Sequence, residues 1–496
     1  MRVDAALARA FARVFAGALA AHVAGAQPVV VVSPAGPVRT ITEALRLAPA
    51  GARVVVRAGT YAEPTLHVER PVTIVGEGLP TLDGGNAREI MVVTASDVTV
   101  RGVRFAHVGT AFTEDRAALR VRDAGRCTIA DNRFDDTFFG VYLANVAGCR
   151  VERNAFAGHK GGESVSGNGI HLWSARDVVI ADNRIVGHRD GIYFEFVRAS
   201  TVTRNVSAGN LRYGLHFMYS DSCRYVDNTF RANGSGVAVM YTKQVVMRGN
   251  RFEDNRGGAA YGLLLKEIGD PTLDGNTFAG NTVGLMADGT TRLVAARNVF
   301  AGNGWAVRLM SNVQDSRFTA NDFSANTFDV ATSGRDATAA FDGNWFDAYR
   351  GYDLDRDGRG DVPHRPVRLF SLLVERYEPS MVLLRSFFVD LLDVAERGIP
   401  SLTPDAVIDM HPSMRPNAER VEPRRMQQRT QRTQRYPSPS FAPAGTPAKA
   451  GAGPSDFSSS PPRMRGSSVV RESHWTPAFA GVTAECEDAG SRRSPG

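Results

Sequence analysis

Val245-Val-Met-Arg-Gly-Asn-Arg-Phe252 and Cys127-Thr-Ile-Ala-Asp-Asn-Arg-Phe134 are two copies of one unit, apolar-x-apolar-x-x-Asn-x-Phe. The asparagine recurs at Asn132, Asn154, Asn183, Asn205, Asn228, Asn250, Asn276, Asn298, Asn321 and Asn344. The intervals are 22, 29, 22, 23, 22, 26, 22, 23 and 23 residues. Two positions on, eight of the ten units carry Phe; Ile185 and Ser207 are the exceptions. Such a period marks a stack of like turns and not a globular core. The alternation before each Asn reads as a half-buried strand. A second strand follows a Gly, as in Gly191-Ile-Tyr-Phe-Glu195 and Gly214-Leu-His-Phe-Met218. Asn and Gly tolerate left-handed backbone angles and so punctuate the turns. Neither an intervening amphipathic helix nor the consensus of leucine-rich repeats is present. The expected fold is all-β: a right-handed parallel β-helix of the pectin-lyase-like kind.

Coils in such a solenoid lie ~4.8 Å apart. Equivalent Asn side chains then bond to one another along the stack, and the Phe rings stack inside. Val98-Thr-Val-Arg-Gly-Val-Arg-Phe105 fits the frame without Asn, and Val72-Thr-Ile74 lies one coil earlier. About twelve coils are expected over residues 72–346.

Outside the repeat, composition sets the boundaries. Arg2, Arg9 and Arg13 precede an Ala-rich apolar stretch, and Ala24-Gly-Ala26 offers a cleavage site, so residues 1–26 read as a secretory signal. Residues 27–71 read as an N-terminal cap, in which Thr40-Ile-Thr-Glu43 opens a short helix to Leu47. Residues 412–496 turn to Pro, Ser, Arg and Gln and read as a disordered tail, with the stretch to Thr483 resembling translated repetitive DNA, a read-through extension. That tail carries 13 of the 58 Lys and Arg and 7 of the 52 Asp and Glu. The preceding 411 residues carry 45 of each sign and are neutral, which argues against a nucleic-acid partner. No stretch reaches the ~20 apolar residues of a membrane span. Cys127 and Cys149 occupy one frame position on successive coils, and Cys223 repeats it. The simple reading is three small buried apolar residues; a Cys127–Cys149 disulfide is the alternative in an oxidising compartment.

Positions +1 and +3 after each repeat Gly are apolar and point inward, so +2 and +4 point outward. The outward pairs run Tyr142/Ala144, His171/Trp173, Tyr193/Glu195, His216/Met218, Ala238/Met240, Leu264/Lys266, Met286/Asp288 and Arg308/Met310. A solvated face would carry Thr, Ser, Lys and Asp; this one gathers His, aromatics and Met. Thioethers and imidazoles suit copper, above all Cu(I), and His171, His216, Met218 and Met240 are the candidate ligands. A second reading has long loops, such as Ala157–Asn168, and the C-terminal segment cover the row and bury it as a second small core. A third is a sugar groove, with aromatics stacking on rings.

Asp353-Leu-Asp-Arg-Asp-Gly-Arg-Gly-Asp361 sets Asp353, Asp355, Asp357 and Asp361 at the spacing of a calcium loop, with Gly358 at its sixth position. His364 replaces the bidentate Glu, so a structural calcium site and a plain Asp/Gly turn both remain open. Beyond it, Val367–Val374 and Met381–Val394 have helical period. They either fold back over the last coil or present an apolar surface to a partner.

Gly169-Ile-His-Leu-Trp173, Gly191-Ile-Tyr-Phe194, Gly214-Leu-His-Phe-Met-Tyr-Ser220 and Gly236-Val-Ala-Val-Met-Tyr241 resemble segments of the NosD proteins, which are required for nitrous oxide reductase maturation. The Asp353–Pro363 loop and Leu383-Leu-Arg-Ser-Phe-Phe388 also look like that family; the resemblance spans residues 28–411. It implies a periplasmic, non-enzymatic accessory protein that binds or hands over copper during assembly of the copper–sulfur centre. Its implied partners are the ATPase and permease subunits of an ABC transporter, nitrous oxide reductase and a copper chaperone. Membrane contact would come only through the permease. The alternatives are a carbohydrate-active β-helix enzyme, lyase or epimerase, and a metal-free structural adaptor. No Asp-Pro-His-Asp motif supports the enzyme, and Glu195 and Asp288 lie four coils apart, ~19 Å, too far for glycoside hydrolysis.

Overall fold

Fourteen, thirteen and twelve parallel strands form the three sheets of the computed structural model, which describes residues 27–111, 114–159, 161–334, 338–399 and 407–418. Residues 1–26, expected above to be a secretory signal, and most of the tail, Cys486 included, lie outside the described residues. Each coil gives one strand to each sheet. Arg224–Val226, Thr229–Arg231 and Ser235–Lys243 belong to the first, second and third sheets of one coil, and each pairs in parallel with its counterpart one coil on. This is the expected parallel β-helix, but it has about fourteen turns, because the stack begins earlier than the repeat does. Val29–Val32 pairs with Ala52–Arg57, and that strand with Val72–Glu77. The cap region supplies the first rungs without any Asn-x-Phe, so a count of asparagines undercounts coils.

The residue before each ladder Asn takes a left-handed conformation: Asp131 at φ 57°, Arg153 at 52°, Asp227 at 56° and Gly249 at 65°. That turn aims the Asn inward. Asn228 then donates its N–H and an Nδ2–H to Oδ1 of Asn250, both at 3.0 Å, and its second Nδ2–H to Val202 O at 2.9 Å. The pattern runs from Asn132 to Asn344, whose donors end on Asp409 Oδ2 at 2.8 and 2.9 Å. A second ladder stands five residues further on, at Asn210, Asn233, Asn255, Asn281, Asn303 and Asn326. It ends on Asp329 Oδ1 at 3.1 Å from Asn326 Nδ2. Inside, Phe252, Phe278, Phe300, Phe323 and Phe346 stack with centroids 4.7 to 5.0 Å apart. Ser207, where Phe is missing, is buried and donates to Gly214 O at 2.7 Å.

Both ends are closed. Helix α1 (Ile41–Leu47) buries Ile41 and Ala44 over the first coils. Thr40 accepts from the Glu43 N–H at 3.2 Å, and Glu63 accepts from Ile41 and Thr42 N–H at 2.7 and 2.9 Å. At the far end, residues 407–418 rejoin the stack: Ser413 N–H donates to Asn344 O at 2.8 Å and Ala418 N–H to Asp322 Oδ2 at 2.8 Å. The folded chain thus continues seven residues beyond the composition break at 411. Helices α2 (Leu369–Arg376) and α3 (Phe387–Gly398) flank a 3-10 turn, Glu378–Leu383. The helix expected from Met381 starts only at Phe387, because Arg385 turns left-handed at φ 71°. Phe370 and Val374 of α2 pack on Phe328, with Trp305, Met381, Leu384, Val389 and Leu392 around them. This small core covers the last strands of the third sheet.

Cys127 and Cys149 are bonded to each other, with Cα atoms 4.5 Å apart, and so are more than apolar fillers. Cys223 is a buried free thiol. Among the described residues no helix is long and apolar enough to cross a membrane.

Candidate functional site

Strand register in the third sheet sets the outward residues in two columns. One runs Tyr142, His171, Tyr193, His216, Ala238, Leu264, Met286, Arg308; the other runs Ala144, Trp173, Glu195, Met218, Met240, Lys266, Asp288. The columns point away from the solenoid core, yet apart from Trp173 most of the row is buried or half-buried. His171 and His216 are each only 8% exposed, and Ala238 and Met286 are also buried. Arg308 is drawn onto Glu375 of α2 at 2.7 Å, which covers the lower end.

His171 lies between Tyr142 and Tyr193, at ring separations of 4.3 and 4.7 Å and near-parallel. Asn168, at the end of the long loop, donates Nδ2–H to its Nδ1 at 3.0 Å. Burial, and then the nearby Arg189 charge, push its pKa down to about 3. The ring is therefore neutral.

His216 meets a residue that the sequence reading missed. Arg212 Nη2 stands 2.9 Å from His216 Nδ1 and 3.0 Å from Asp190 Oδ2, while Arg212 Nε donates to Asp190 Oδ1 at 3.1 Å. Asp190 is fully buried and also accepts the Tyr213 N–H at 3.2 Å. Burial alone would raise its carboxyl pKa, but the surrounding donors and cations, with Arg212 bonded to both of its oxygens, outweigh burial and hold the group below the usual range. One signal was available: Asp190 precedes the repeat Gly at a place where later coils carry Tyr213, Ser235, Tyr261, Val283, Trp305 and Phe328.

Met218 and Met240 are register partners on adjacent coils, both half-buried. Parallel neighbours ~4.8 Å apart bring two flexible thioethers within reach of one ion. Tyr193 OH lies 4.0 Å from Met218 Sδ and 3.3 Å from Glu195 Oε2. Burial, then Glu195, raise the phenol's pKa. Immediately after Glu195, Met218 and Met240 come Phe196, Tyr219 and Tyr241, whose rings stack at 5.5 and 5.2 Å. All three adopt left-handed φ of 55°, 47° and 54°, which costs a bulky residue ~1 kcal/mol or more. The donor set is soft and suits Cu(I): two thioethers, with an imidazole two residues away. Of the four ligand candidates the structure brings His216, Met218 and Met240 together, whereas His171 is held inside the aromatic stack.

Away from this face, Asp353, Asp355 and Asp357 bring carboxylate oxygens within 4.8 Å of one another. Gly358, at φ 87°, donates to Asp353 Oδ2 at 2.9 Å. Asp361 is not one of the three; its Oδ2 accepts the Leu354 N–H at 2.6 Å. His364 packs on Phe346, with centroids 4.5 Å apart, and burial lowers its pKa to about 4.

The family described as periplasmic copper-binding protein (NosD) matches residues 157–348, which contain the whole His/Met row from His171 onward. A Pseudomonas aeruginosa protein named "Probable ABC transporter binding protein NosD" is 31% identical over 386 residues, covering 74% of this chain and 89% of its own length. A protein of the same name from Stutzerimonas stutzeri is 27% identical, with coverages of 73% and 87%. Among solved structures, the Streptococcus pneumoniae surface adhesin PfbA aligns with a TM-score of 0.42 at 12% identity, over 62% of this chain and 86% of that one. The A-module of an Azotobacter vinelandii mannuronan C-5 epimerase aligns at 0.41 and 18%, over 62% and 89%. Those two likenesses do not bear on function. The identity to proteins matched over most of their length does: this chain belongs to the NosD family.

Proposed function

We propose that the protein is a periplasmic accessory factor that takes up Cu(I) on the third sheet and passes it on. It acts with an ABC transporter while the copper–sulfur centre of nitrous oxide reductase is assembled. The observation that carries this reading is the half-buried Met218/Met240 pair on adjacent coils beside His216. Thioethers hold Cu(I) well and hold little else, which suits a carrier that must release its cargo. The Cys127–Cys149 bond supports an oxidising compartment. Docking to the permease fits α3 and the turn before it, where Val382 is 85% and Phe387 79% exposed. A copper chaperone is the donor this scheme requires, and nitrous oxide reductase the recipient.

Cu(I) titration of the apo protein against a competing chelator tests the reading. Met218→Leu/Met240→Leu keeps volume and shape, so stability should change by less than ~1.5 kcal/mol. Affinity should fall at least tenfold, ~1.4 kcal/mol. Unchanged affinity in that double variant sinks the ligand assignment. The enzyme alternative is weakened by Asp190, the carboxylate beside His216: it is fully buried and gripped by Arg212, so it is not poised as an acid or base. For the second metal, Asp353, Asp355 and Asp357 would hold a structural calcium, with Asp361 bracing the loop through Leu354. Calcium should then raise the melting temperature, and Asp355→Asn should remove that response.

A further inference from the structure

The soft-donor face contains one group that does not belong in a copper site, the guanidinium of Arg212. A guanidinium has only donors, so the 2.9 Å contact between Arg212 Nη2 and His216 Nδ1 has one sense: Arg212 donates and Nδ1 accepts. The neutral ring then carries its proton on Nε2. In that tautomer neither nitrogen has a lone pair to offer, one being engaged by Arg212 and the other protonated. His216, two residues from Met218, cannot ligate a metal as it stands.

The partner needed by the other tautomer is already in place. Asp190 Oδ2 lies 3.6 Å from Nδ1, just beyond hydrogen-bond range. A carboxylate behind Nδ1–H is the usual support for an imidazole that ligates through Nε2. Arg212 also has a second acceptor, Glu163 Oε1 at 3.9 Å, on the loop that leads to Asn168. Tyr193 stands edge-on to the His216 ring at 5.1 Å and Tyr213 tilts against it at 4.8 Å, so the ring has little freedom to turn away instead.

We infer that Arg212 is a latch on His216, a positioning residue that decides whether the imidazole can join Met218 and Met240. With the latch closed, Nε2 is protonated and only thioethers are available. When Arg212 swings toward Glu163, the proton leaves Nε2 and Nδ1 takes one up, donating it to Asp190; the ring stays neutral and Nε2 becomes a ligand. No proton is gained or lost overall. The latch rests on the copper reading above and adds to it two binding strengths on one site, weak when closed and tighter when open.

The test separates the two ideas. Protein labelled with 15N-histidine reports ring tautomers directly in the metal-free state, and His216→Gln identifies the His216 signals. The native ring should show an unprotonated Nδ1 and a protonated Nε2. In Arg212→Met the proton should move to Nδ1, and Cu(I) affinity should rise at least tenfold. A native ring already protonated at Nδ1 overturns the latch, and this measurement stands even if Arg212→Met fails to fold. A ring unmoved in the variant, in a protein that binds Cu(I), overturns the latch alone. A ring that shifts as expected in a protein that binds no Cu(I) overturns the copper reading.

Discussion

The asparagine amide matches the needs of this fold residue by residue. It offers two N–H donors and one oxygen, and in each rung all three are used, for example by Asn250. Asn250→Ala would strand the Asn228 donors and the Tyr225 carbonyl in a dry interior. A loss of ~2–5 kcal/mol is expected, measured by urea unfolding. Such a ladder of donors must end on a group that only accepts, and both ladders end on Asp, at Asp409 and Asp329. His188 occupies a ladder place of its own, five residues after Asn183, and its N–H donates to Asn210 Oδ1 at 3.1 Å. Burial pushes its pKa from 6.5 down to about 4. A lowered histidine pKa means that the folded state resists protonation. Its contribution is complete above about 6.5 and is lost as pH falls toward 4, up to ~3 kcal/mol. Asp329 has the opposite sign: burial raises it to about 6, so its contribution is full below its ordinary value of 3.8 and is lost as pH rises through 6. His188→Asn should therefore remove the rise in melting temperature between about 4 and 6.5, and Asp329→Asn the opposing fall as pH rises from 3.8 through about 6. A profile unchanged in both variants would contradict these assignments.

At the scale of elements, the strands were legible and the helices less so. A period of two with Asn and Gly punctuation leaves one way to lay the chain down. The apolar run from Met381 reads as the start of an α-helix, but the chain makes a 3-10 turn through Leu383 and Arg385 turns left-handed. Only packing against Phe328 and Trp305 selects that break. Past the break, helix α3 turns Phe387, Leu391 and Val394 to solvent at 79%, 53% and 63%. Under the docking proposal, Phe387→Glu/Leu391→Glu should abolish co-purification with the permease. Stability should change by no more than ~0.5 kcal/mol per site, since both side chains are exposed. Continued association in that variant would place the permease contact elsewhere.

Across the whole molecule, the stack is a nearly one-dimensional object whose stability depends on closed ends. Helix α1 closes one; residues 407–418, with Asp409 and Ser413, close the other. A chain stopped after Ile399 would leave Asn344 and Gly343 N–H groups and a row of strand edges open. It should melt at lower temperature and self-associate, as seen by light scattering. A truncated chain as stable and monomeric as the full one would show that this segment is dispensable. Asp409 could not be recognised in the sequence, because it rejoins the stack from 65 residues beyond Asn344 and shares no motif with it.

The repeat by itself determined the fold class, the inward Phe and Asn, and which side of the third sheet His171, His216, Met218 and Met240 share. Those features come from short-range geometry: strand alternation, turn residues and a constant step between coils. The starting point of the stack, the whole second Asn ladder and the choice of a Cys127–Cys149 bond over apolar fillers were decided by the tertiary structure. The tertiary structure also chose between an exposed row and a covered one: His171 and His216 are buried by the Tyr142, Tyr193 and Tyr213 rings, by Arg212 and by Asn168 at the end of the long loop. Most of all, the sequence holds His216, Arg212 and Asp190 without saying that they touch. Only tertiary packing puts a donor-only guanidinium against one imidazole nitrogen, and that contact decides which nitrogen holds the proton.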